Sequence, residues 1–495
     1  MNTLTITIFL FLLCSCLNSE PPTIKIKTDK KISSTHEEFL SVSFDTAQIV
    51  GSYFWDKEGD IIGGRGKNKI PPLDLADPVL IERARMLMPG YIRIGGSESE
   101  AVYYNIKGNQ KPDRYDSEFT IKKLDEIEEF SKKTGLKVFF TLNHGPSSFQ
   151  NQKWQSDNHM ELLNYLSQKK YDWKFELGNE VFAQWAVFGA DYQPSEKVYA
   201  KNYLKMKSLL KKRNLKASLA GPASAYWPVI GEPLGFWYGS TENLIPELKE
   251  KIDIISWHYY PTQSFRCPVA IRRMDKDDLI TPKYLDEVSV WARKLKETRD
   301  QYAPESELWL GETGSAQCGG EPGVSDKYIN ALWWIDQLGQ LAKLEHKVVI
   351  RQNLIGADYA LLNRDGSPRP DYYASLLWKK YMGRNVLEVD FDNQGSDLRF
   401  YAHCSKFGNG AVLLAINLSK DFQEFQLEGF PGDKFYDVLE AGQGLYGNSV
   451  LFNGKKIVEP VGLMDNKWNV QQENNFRLTP HSLTFIQILG QFKGC

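Results

Sequence analysis

"WKFELGNEV", residues 173–181, runs apolar and strand-like to Leu177 and then stops at Gly178 with an amide, Asn179, and a carboxylate, Glu180, side by side. A buried strand that ends on two polar groups fits a barrel whose reactive side chains gather at the C-terminal ends of parallel strands. Such a barrel needs more strands of the same kind. The chain supplies them at "EFLSVSFD" (38–45), "YIRIGG" (91–96), "LKVFFTLN" (136–143), "ASLAGP" (217–222), "IDIISWHYY" (252–260), "ELWLGET" (307–313) and "VVIRQNLIG" (348–356), eight with the one quoted. After the second, helical patterns fill the gaps. In "SEFTIKKLDEIEEFSKK" (117–133), Phe119, Ile121, Leu124, Ile127 and Phe130 recur at roughly helical spacing. Strands alternating with helices predict an α/β protein with a (β/α)8 TIM barrel over residues 37–380.

Beyond residue 381 the texture changes to short alternating segments, "VLEVDFD", "LRFYAHCSK", "AVLLAINLSK", "KFYDVLEA" and "LTFIQIL", separated by Gly, Asn, Asp and Pro turns. This predicts an antiparallel β-sandwich over 381–495. "PTIKIKTDK" (22–30) alternates in the same way, so residues 21–36 are expected to add an N-terminal strand to that sandwich. No internal repeat, low-complexity tract or long linker stands between the two domains, which are expected to pack closely.

With 495 residues, 42% hydrophobic and 13% aromatic, there is core enough for both domains, and Lys+Arg 60 against Asp+Glu 62 gives no electrostatic signature of nucleic acid binding. "LTITIFLFLL" (4–13) is too short to span a bilayer and reads as the apolar part of a secretory signal occupying residues 1–20. Leu13-Cys14-Ser15-Cys16 matches a bacterial lipobox with Cys16 as the lipidated residue, although no Lys or Arg precedes the apolar run. The expected location is therefore secreted or at the cell surface, with membrane contact only through Cys16. Cys267, Cys318, Cys404 and Cys495 suit disulfides in an exported chain, and four cysteines allow three pairings. There is no CxxC or HExxH, so no metal or other cofactor is expected.

Glu180 closes the fourth strand and Glu312 the seventh. Two carboxylates across one barrel mouth suit glycosidic bond cleavage, in which one protonates the leaving oxygen while the other attacks or stabilises the anomeric carbon. Asn179 beside the first could hydrogen-bond the sugar 2-hydroxyl. Either glutamate alone would read as a solvated loop residue or a salt-bridge partner; it is their joint placement that points to catalysis. Other hydrolytic signatures are missing: "GGSES" (95–99) is no GxSxG elbow, and there is no P-loop.

At these residues the chain resembles the heparanase-like retaining endo-β-glucuronidases. The resemblance runs from "EFLSVSFD" to the terminal Cys. It is carried by "YIRIGG", "KWQSDNHMELLNYLSQKKYDWKFELGNE", "WHYY", "LWLGETGSA", "VSDKYINALWWIDQLGQLAK", "KVVIRQNLIGADYALLN", "PRPDYYASLLWKK" and "YAHC". It implies that Glu180 is the acid/base and Glu312 the nucleophile, with His258 and Tyr260 of "WHYY" nearby. Tyr260 is expected to orient Glu312 and keep it ionised. The sugar carboxylate would be read by the backbone amides of Cys318 and Gly319 in "AQCGGEP" and by Tyr359 of "GADYALL", an anion nest that needs no cation. Asp45 and Ser97 match further subsite positions, with structural hydrogen bonding as the rival reading. Cys404 and Cys495 match the positions at which the family closes its tail, which leaves Cys267 to pair with Cys318.

The departures bear on specificity. Val181 stands where most relatives have Pro, and Cys318 replaces a Gly of the carboxylate-reading loop. The excised linker and basic heparin-binding stretch of the animal enzymes are replaced by "YYNIKGNQKPDRYDSEFT" (103–120), so proteolytic activation is not expected. Trp55, Arg65 and Lys67, with Arg266, Arg272 and Arg273, are candidates for a substitute basic surface. The resemblance implies a monomeric, exported, retaining endo-β-glucuronidase acting on glucuronic-acid-containing glycosaminoglycans such as heparan sulfate or hyaluronan. The alternatives are an exo-acting β-glucuronidase and a non-catalytic polysaccharide-binding homologue.

Overall fold

The computed structural model describes residues 20–495 apart from 56–60, 63–64, 67, 190–191, 217, 229–230, 232–238, 269, 409, 458 and 464–467. The proposed signal through residue 19, with Cys16, lies outside the described residues. All eight expected runs form strands: β1 (Leu40–Asp45), β2 (Tyr91–Gly95), β3 (Lys137–Leu142), β4 (Lys174–Leu177), β5 (Leu219–Tyr226), β6 (Ile254–Tyr259), β7 (Glu307–Thr313) and β8 (His346–Arg351). They close into one parallel barrel, β8 pairing back to β1 through Val349 opposite Leu40. The chain is a TIM barrel.

The lower barrel is plugged by a layer that includes Tyr91, Phe139, Ile254, Trp309 and Val348, the Trp309 ring lying 5.1 Å from Tyr91 and 5.2 Å from Phe139. Inward positions recur every second residue along a strand. One step above Tyr91, Phe139 and Lys174 they therefore bring Arg93, Thr141 and Glu176 into a polar second layer. Glycines make room for it. A Cβ on Gly95 would lie 2.5 Å from Arg93 Cζ, and one on Gly311 3.4 Å from Glu176 Oε1. The β7–β8 ladder slips between Leu310 and Thr313. A break of this kind re-aims the side chain beside it, and here it lets Glu312 face the mouth although Gly311 already faces inward.

One sequence expectation needs correction. The helix starts at Ile121 and runs to Thr134, while Ser117–Thr120 form a short strand parallel to Val102–Asn105. Phe119 is buried from that strand, and Ile121 is exposed. Thr120 caps the helix through its side chain, which accepts from the Lys123 N–H. A β-branched capping residue ending an apolar alternation marks the switch of period.

The second domain is built as expected, with added strands. Ile26–Ser34 pairs antiparallel with Met382–Val389 at the edge of a nine-stranded sheet, and Thr23–Ile24 joins Gln423–Leu427 and Asn475–Leu478 in a three-stranded sheet facing it. Both faces of the larger sheet are buried at its central strands, Leu398–Ser405 and Ala411–Asn417. Along Ala411–Asn417, Leu413 and Ala415 enter the sandwich core, while Val412, Leu414 and Ile416 join the barrel core. Helix Tyr328–Lys343 is buried almost throughout, and Gly339 sits so close to the sheet that a Cβ would lie 2.4 Å from the Tyr401 ring. The domains share one core, which holds the barrel rigid behind its mouth. Cys404–Cys495 ties the C-terminus to the sandwich and Cys267–Cys318 joins two loops at the barrel mouth. Among the described residues no helix is long and apolar enough to cross a membrane.

Candidate active site

The polar layer centres on Arg93, which is wholly buried. Its Nε lies 3.0 Å and its Nη2 2.8 Å from Glu176 Oε2, its Nη1 donates to Glu312 Oε2 at 2.7 Å, and Nη2 donates to Asn179 Oδ1 at 2.8 Å. Thr141 Oγ1 donates to the same Glu176 oxygen at 3.0 Å. One guanidinium thus fixes groups from β4 and β7 relative to β2, with the fork geometry that suits Arg to such a site.

Glu312 receives a second donor, Tyr260 Oη, at 2.7 Å on Oε1. Burial, with the Glu312 charge, pushes the Tyr260 phenol well above its ordinary range, so it remains a donor. His258 stands opposite Glu312 in the β6–β7 register and touches both glutamates, with Nδ1 3.1 Å from Glu180 Oε1 and 3.9 Å from Glu312 Oε2. Burial and then the Arg93 charge hold this imidazole well below its usual range, so it is neutral.

Glu180 follows a turn in which Gly178 has φ 80° and Glu180 itself φ 50°. A left-handed backbone is strained for a glutamate, and strain of this kind persists only where the surroundings impose it. Here buried Glu100 accepts from the Asn179 N–H and, at 2.7 Å, from the His144 N–H, pinning the turn from behind. The Glu180 carboxyl accepts from Trp227 Nε1 at 2.8 Å. Burial, and next the Glu312 charge, raise its pKa well above the carboxylate range; the Trp227 bond and Arg93 only partly oppose them.

Asn179 Oδ1 takes Arg93 and, at 3.2 Å, the Gly96 N–H, which assigns the amide and leaves Nδ2 as its donor at the cleft. Asp45, Ser97, Tyr260, Cys318 and Tyr359 line the same cleft as both glutamates. Asp45 also caps the helix Thr46–Val50, accepting from the Ala47 N–H at 2.9 Å, so it is structural as well as cleft-lining. Burial pushes its carboxyl up to about 8. Cys318, Gly319 and Gly320 turn through φ 58°, 88° and 86°. Gly319 does not itself line the cleft as Cys318 does. Its carbonyl accepts from the Tyr359 N–H at 3.2 Å, which locks the loop to that tyrosine.

Of the cations suggested by the sequence as a basic surface, Arg273 is exposed, whereas Arg266 and Arg272 are not free to serve it. Arg266 is buried beneath the glycine loop, donating to Gly320 O at 3.0 Å and pairing with Asp358 at 2.5 Å, and Arg272 pairs with Glu287 at 2.5 Å. Buried or paired cations do not project charge to a polymer. Arg65's side chain and Lys67 lie outside the described residues; Trp55 lines the cleft. Among the described residues, Glu180, His258 and Glu312 are a three-residue group whose ligand atoms lie within 4.8 Å of one another. Arg93 and Tyr260 already occupy the Glu312 oxygens, and a dication there would face the buried guanidinium, so the donor set suits a sugar rather than a metal.

Sequence reading missed Arg93, Glu100, Glu176 and Trp227. The available signal was an arginine inside an otherwise apolar strand, since a charge is buried only when it is paired.

The model of glycosyl hydrolase family 79, N-terminal domain, matches residues 22–339. The chain is 30% identical to heparanase of Rattus norvegicus over 77% of this chain and 80% of that protein. It is 29% identical to inactive heparanase-2 of Mus musculus over 68% of this chain and 58% of that one. A solved structure of a 4-O-alpha-L-rhamnosyl-beta-D-glucuronidase from Fusarium oxysporum 12S shares the fold, with a TM-score of 0.66, 14% identity, and coverage of 94% of this chain and 100% of that one. This chain belongs to glycosyl hydrolase family 79, the family of the heparanases.

Proposed function

We propose that the protein is an exported retaining endo-β-glucuronidase that hydrolyses glucuronic-acid-containing glycosaminoglycans. The observation that carries this reading is the unlike treatment of two neighbouring carboxyls. Glu312 accepts from a guanidinium and a phenol, while Glu180, buried against it, is driven toward its protonated form. A carboxyl fixed by two donors beside one driven toward its protonated form suits a nucleophile and an acid. One oxygen of each lies within 4.8 Å of the other, which fits a retaining pair better than the roughly 6.5–9.5 Å carboxyl separation that seats a water in inverting enzymes.

In the first step Glu312 attacks the anomeric carbon, the C1–O bond breaks, and Glu180 gives its proton to the departing oxygen. In the second, Glu180 removes a proton from water as its oxygen attacks C1, releasing Glu312 and a sugar of unchanged anomeric configuration. Asn179 Nδ2 would bind the 2-hydroxyl. The Cys318 amide with Tyr359 would bind the sugar carboxylate, with Gly319 holding the loop against that tyrosine. The two disulfides favour an exported chain.

A non-catalytic homologue is the second reading, favoured by the inactive relative. The full set of Glu180, Glu312, Tyr260 and Arg93 argues against it. Glu180→Gln and Glu312→Gln decide between them. Each should lower turnover on glucuronic acid polymers by several orders of magnitude with folding intact, and early NMR spectra of wild-type product should show the β anomer. Near-native activity in either variant, or an inverted product, would remove the proposal.

A further inference from the structure

The wall beside Glu180 differs in kind from the wall that faces it. After the turn Val181–Ala183, the single helical turn Trp185–Phe188 brings Trp185, Ala186 and Val187 to the cleft, each only half-buried. Gln184 fixes this turn to the acid's own loop, its Nε2 donating to Asn179 O at 3.1 Å. Trp227, which holds Glu180, continues the wall from β5. The barrel order sets β4 and β5 across the mouth from β8, which leads into Gln352 and Tyr359, and β1, which ends at Asp45. The polar wall therefore faces the sugar that is attacked, and the apolar wall lies on the acid's side, where the leaving oxygen and its sugar must sit.

Apolar side chains left part-exposed inside a cleft mark a binding surface. An indole matches the C–H face of a pyranose ring, burying area that water would otherwise cover. A sulfate held there would shed water onto an apolar surface without a partner, and the described cleft residues include the carboxyl side chains of Asp45, Glu180 and Glu312 but no basic one.

We propose that Trp185, with Ala186 and Val187, forms the subsite for the leaving-side sugar and that this sugar is unsulfated, so that the substrate class is a non-sulfated glucuronic acid polysaccharide. The proposal rests on the glucuronidase reading and narrows it.

The experiment compares hyaluronan, unsulfated N-acetylheparosan and heparan sulfate by reducing-end release, using wild type, Trp185→Ala and Trp185→Phe, with thermal melting as a check of folding. Wild type should favour at least one unsulfated polymer over heparan sulfate by roughly tenfold or more in kcat/KM. Trp185→Ala should raise KM for that polymer roughly tenfold, equivalent to about 1.4 kcal/mol, with a smaller change in kcat, and Trp185→Phe should recover most of the loss. An unchanged KM in a folded Trp185→Ala protein, or preference for heparan sulfate, overturns the subsite alone. Cleavage of none of the three polymers by wild type overturns it together with the glucuronidase reading.

Discussion

Arg93 Nη1 donates to Glu312 Oε2 at 2.7 Å, and the same guanidinium holds Glu176 and Asn179. One buried cation thus serves two carboxylates in a layer that also borders Glu180. The negative charge it leaves uncompensated contributes, after burial, to raising the Glu180 pKa. The orientation of Glu312, the protonation of Glu180 and the placement of Asn179 are linked through one side chain two residues above the aromatic plug.

Arg93→Lys should therefore be severe although charge is kept. A lysine ammonium cannot reach three acceptors with a planar fork. Stability should fall by about 3–5 kcal/mol, as when a buried pair loses a partner, and kcat should fall by roughly a hundredfold or more because Glu312 and Asn179 both lose their anchor. Chemical denaturation and initial rates on a glucuronic acid polymer measure the two effects. A variant with wild-type stability would show that the layer does not depend on the fork.

As the proposed acid, Glu180 must be protonated before it acts, so activity should decline as pH rises through its raised pKa. The Trp227 Nε1 bond lowers that pKa by favouring the carboxylate. Trp227→Phe removes the donor, raises the pKa further and should carry the alkaline limb of kcat/KM to higher pH. A limb that stays in place would separate it from Glu180.

Stability should peak near neutral pH. Buried His144, His159, His346 and His403 are pushed down to about 3, 4, 3 and 4. The unfolded chain alone binds their protons below about pH 6.5, so stability rises as pH approaches that value. Buried Asp45 and Glu100 are pushed up to about 8. Above about pH 4 the folded chain keeps protons that the unfolded chain has lost, and this contribution disappears as pH rises through about 8. Lys379, pushed down to about 7 by burial, works in the opposite sense above pH 7 and offsets one of them. In urea titrations at pH 6.5 and 8, Asp45→Asn should therefore lose less stability across that interval than wild type. An equal loss would mean that Asp45 is ionised in the folded chain.

The two disulfides should separate in their effects. Cys404–Cys495 closes a sequence separation of 91 residues far from the cleft. Cys404→Ser should cost roughly 4–5 kcal/mol by chain entropy and leave kcat unchanged in the folded fraction. Cys267–Cys318 anchors a cleft-lining loop, so Cys267→Ser should raise KM. Peptide mapping under non-reducing conditions and paired kinetics test both.

The barrel was legible because strand periodicity and the polar endings at Asn179, Glu180 and Glu312 are local signals. Arg93 was not, because its importance comes from Glu176, Asn179 and Glu312, which only closure of the barrel brings together. The strands Gln423–Leu427 and Asn475–Leu478 escaped for a related reason. Each buries only alternate side chains, such as Phe425 and Phe476, against a sheet assembled from distant segments. Arg266 was misread as surface charge because its partner Asp358 lies 92 residues away.

Recognition of the attacked sugar should depend on Tyr359. Tyr359 lines the cleft, its backbone is held by Gly319 O and by Arg351, and burial keeps its phenol far above its ordinary range and hence a donor. A neutral donor fixed beside the Cys318 turn is preorganised for an anionic oxygen, and a glucoside would leave it without that partner. Sites built on a hydrogen bond discriminate strongly against its absence. Tyr359→Phe should therefore lower kcat/KM on a β-glucuronide by roughly tenfold or more, the value of a charge-assisted bond of about 1.5–3 kcal/mol, and change the matching β-glucoside far less. The measurement uses paired aryl substrates, or native and carboxyl-reduced polymer if only polymers are cleaved. Equal losses on both members would assign Tyr359 to general architecture. Equal wild-type rates on both would mean that the carboxylate is not read, leaving a retaining β-glycosidase whose anionic specificity must come from elsewhere.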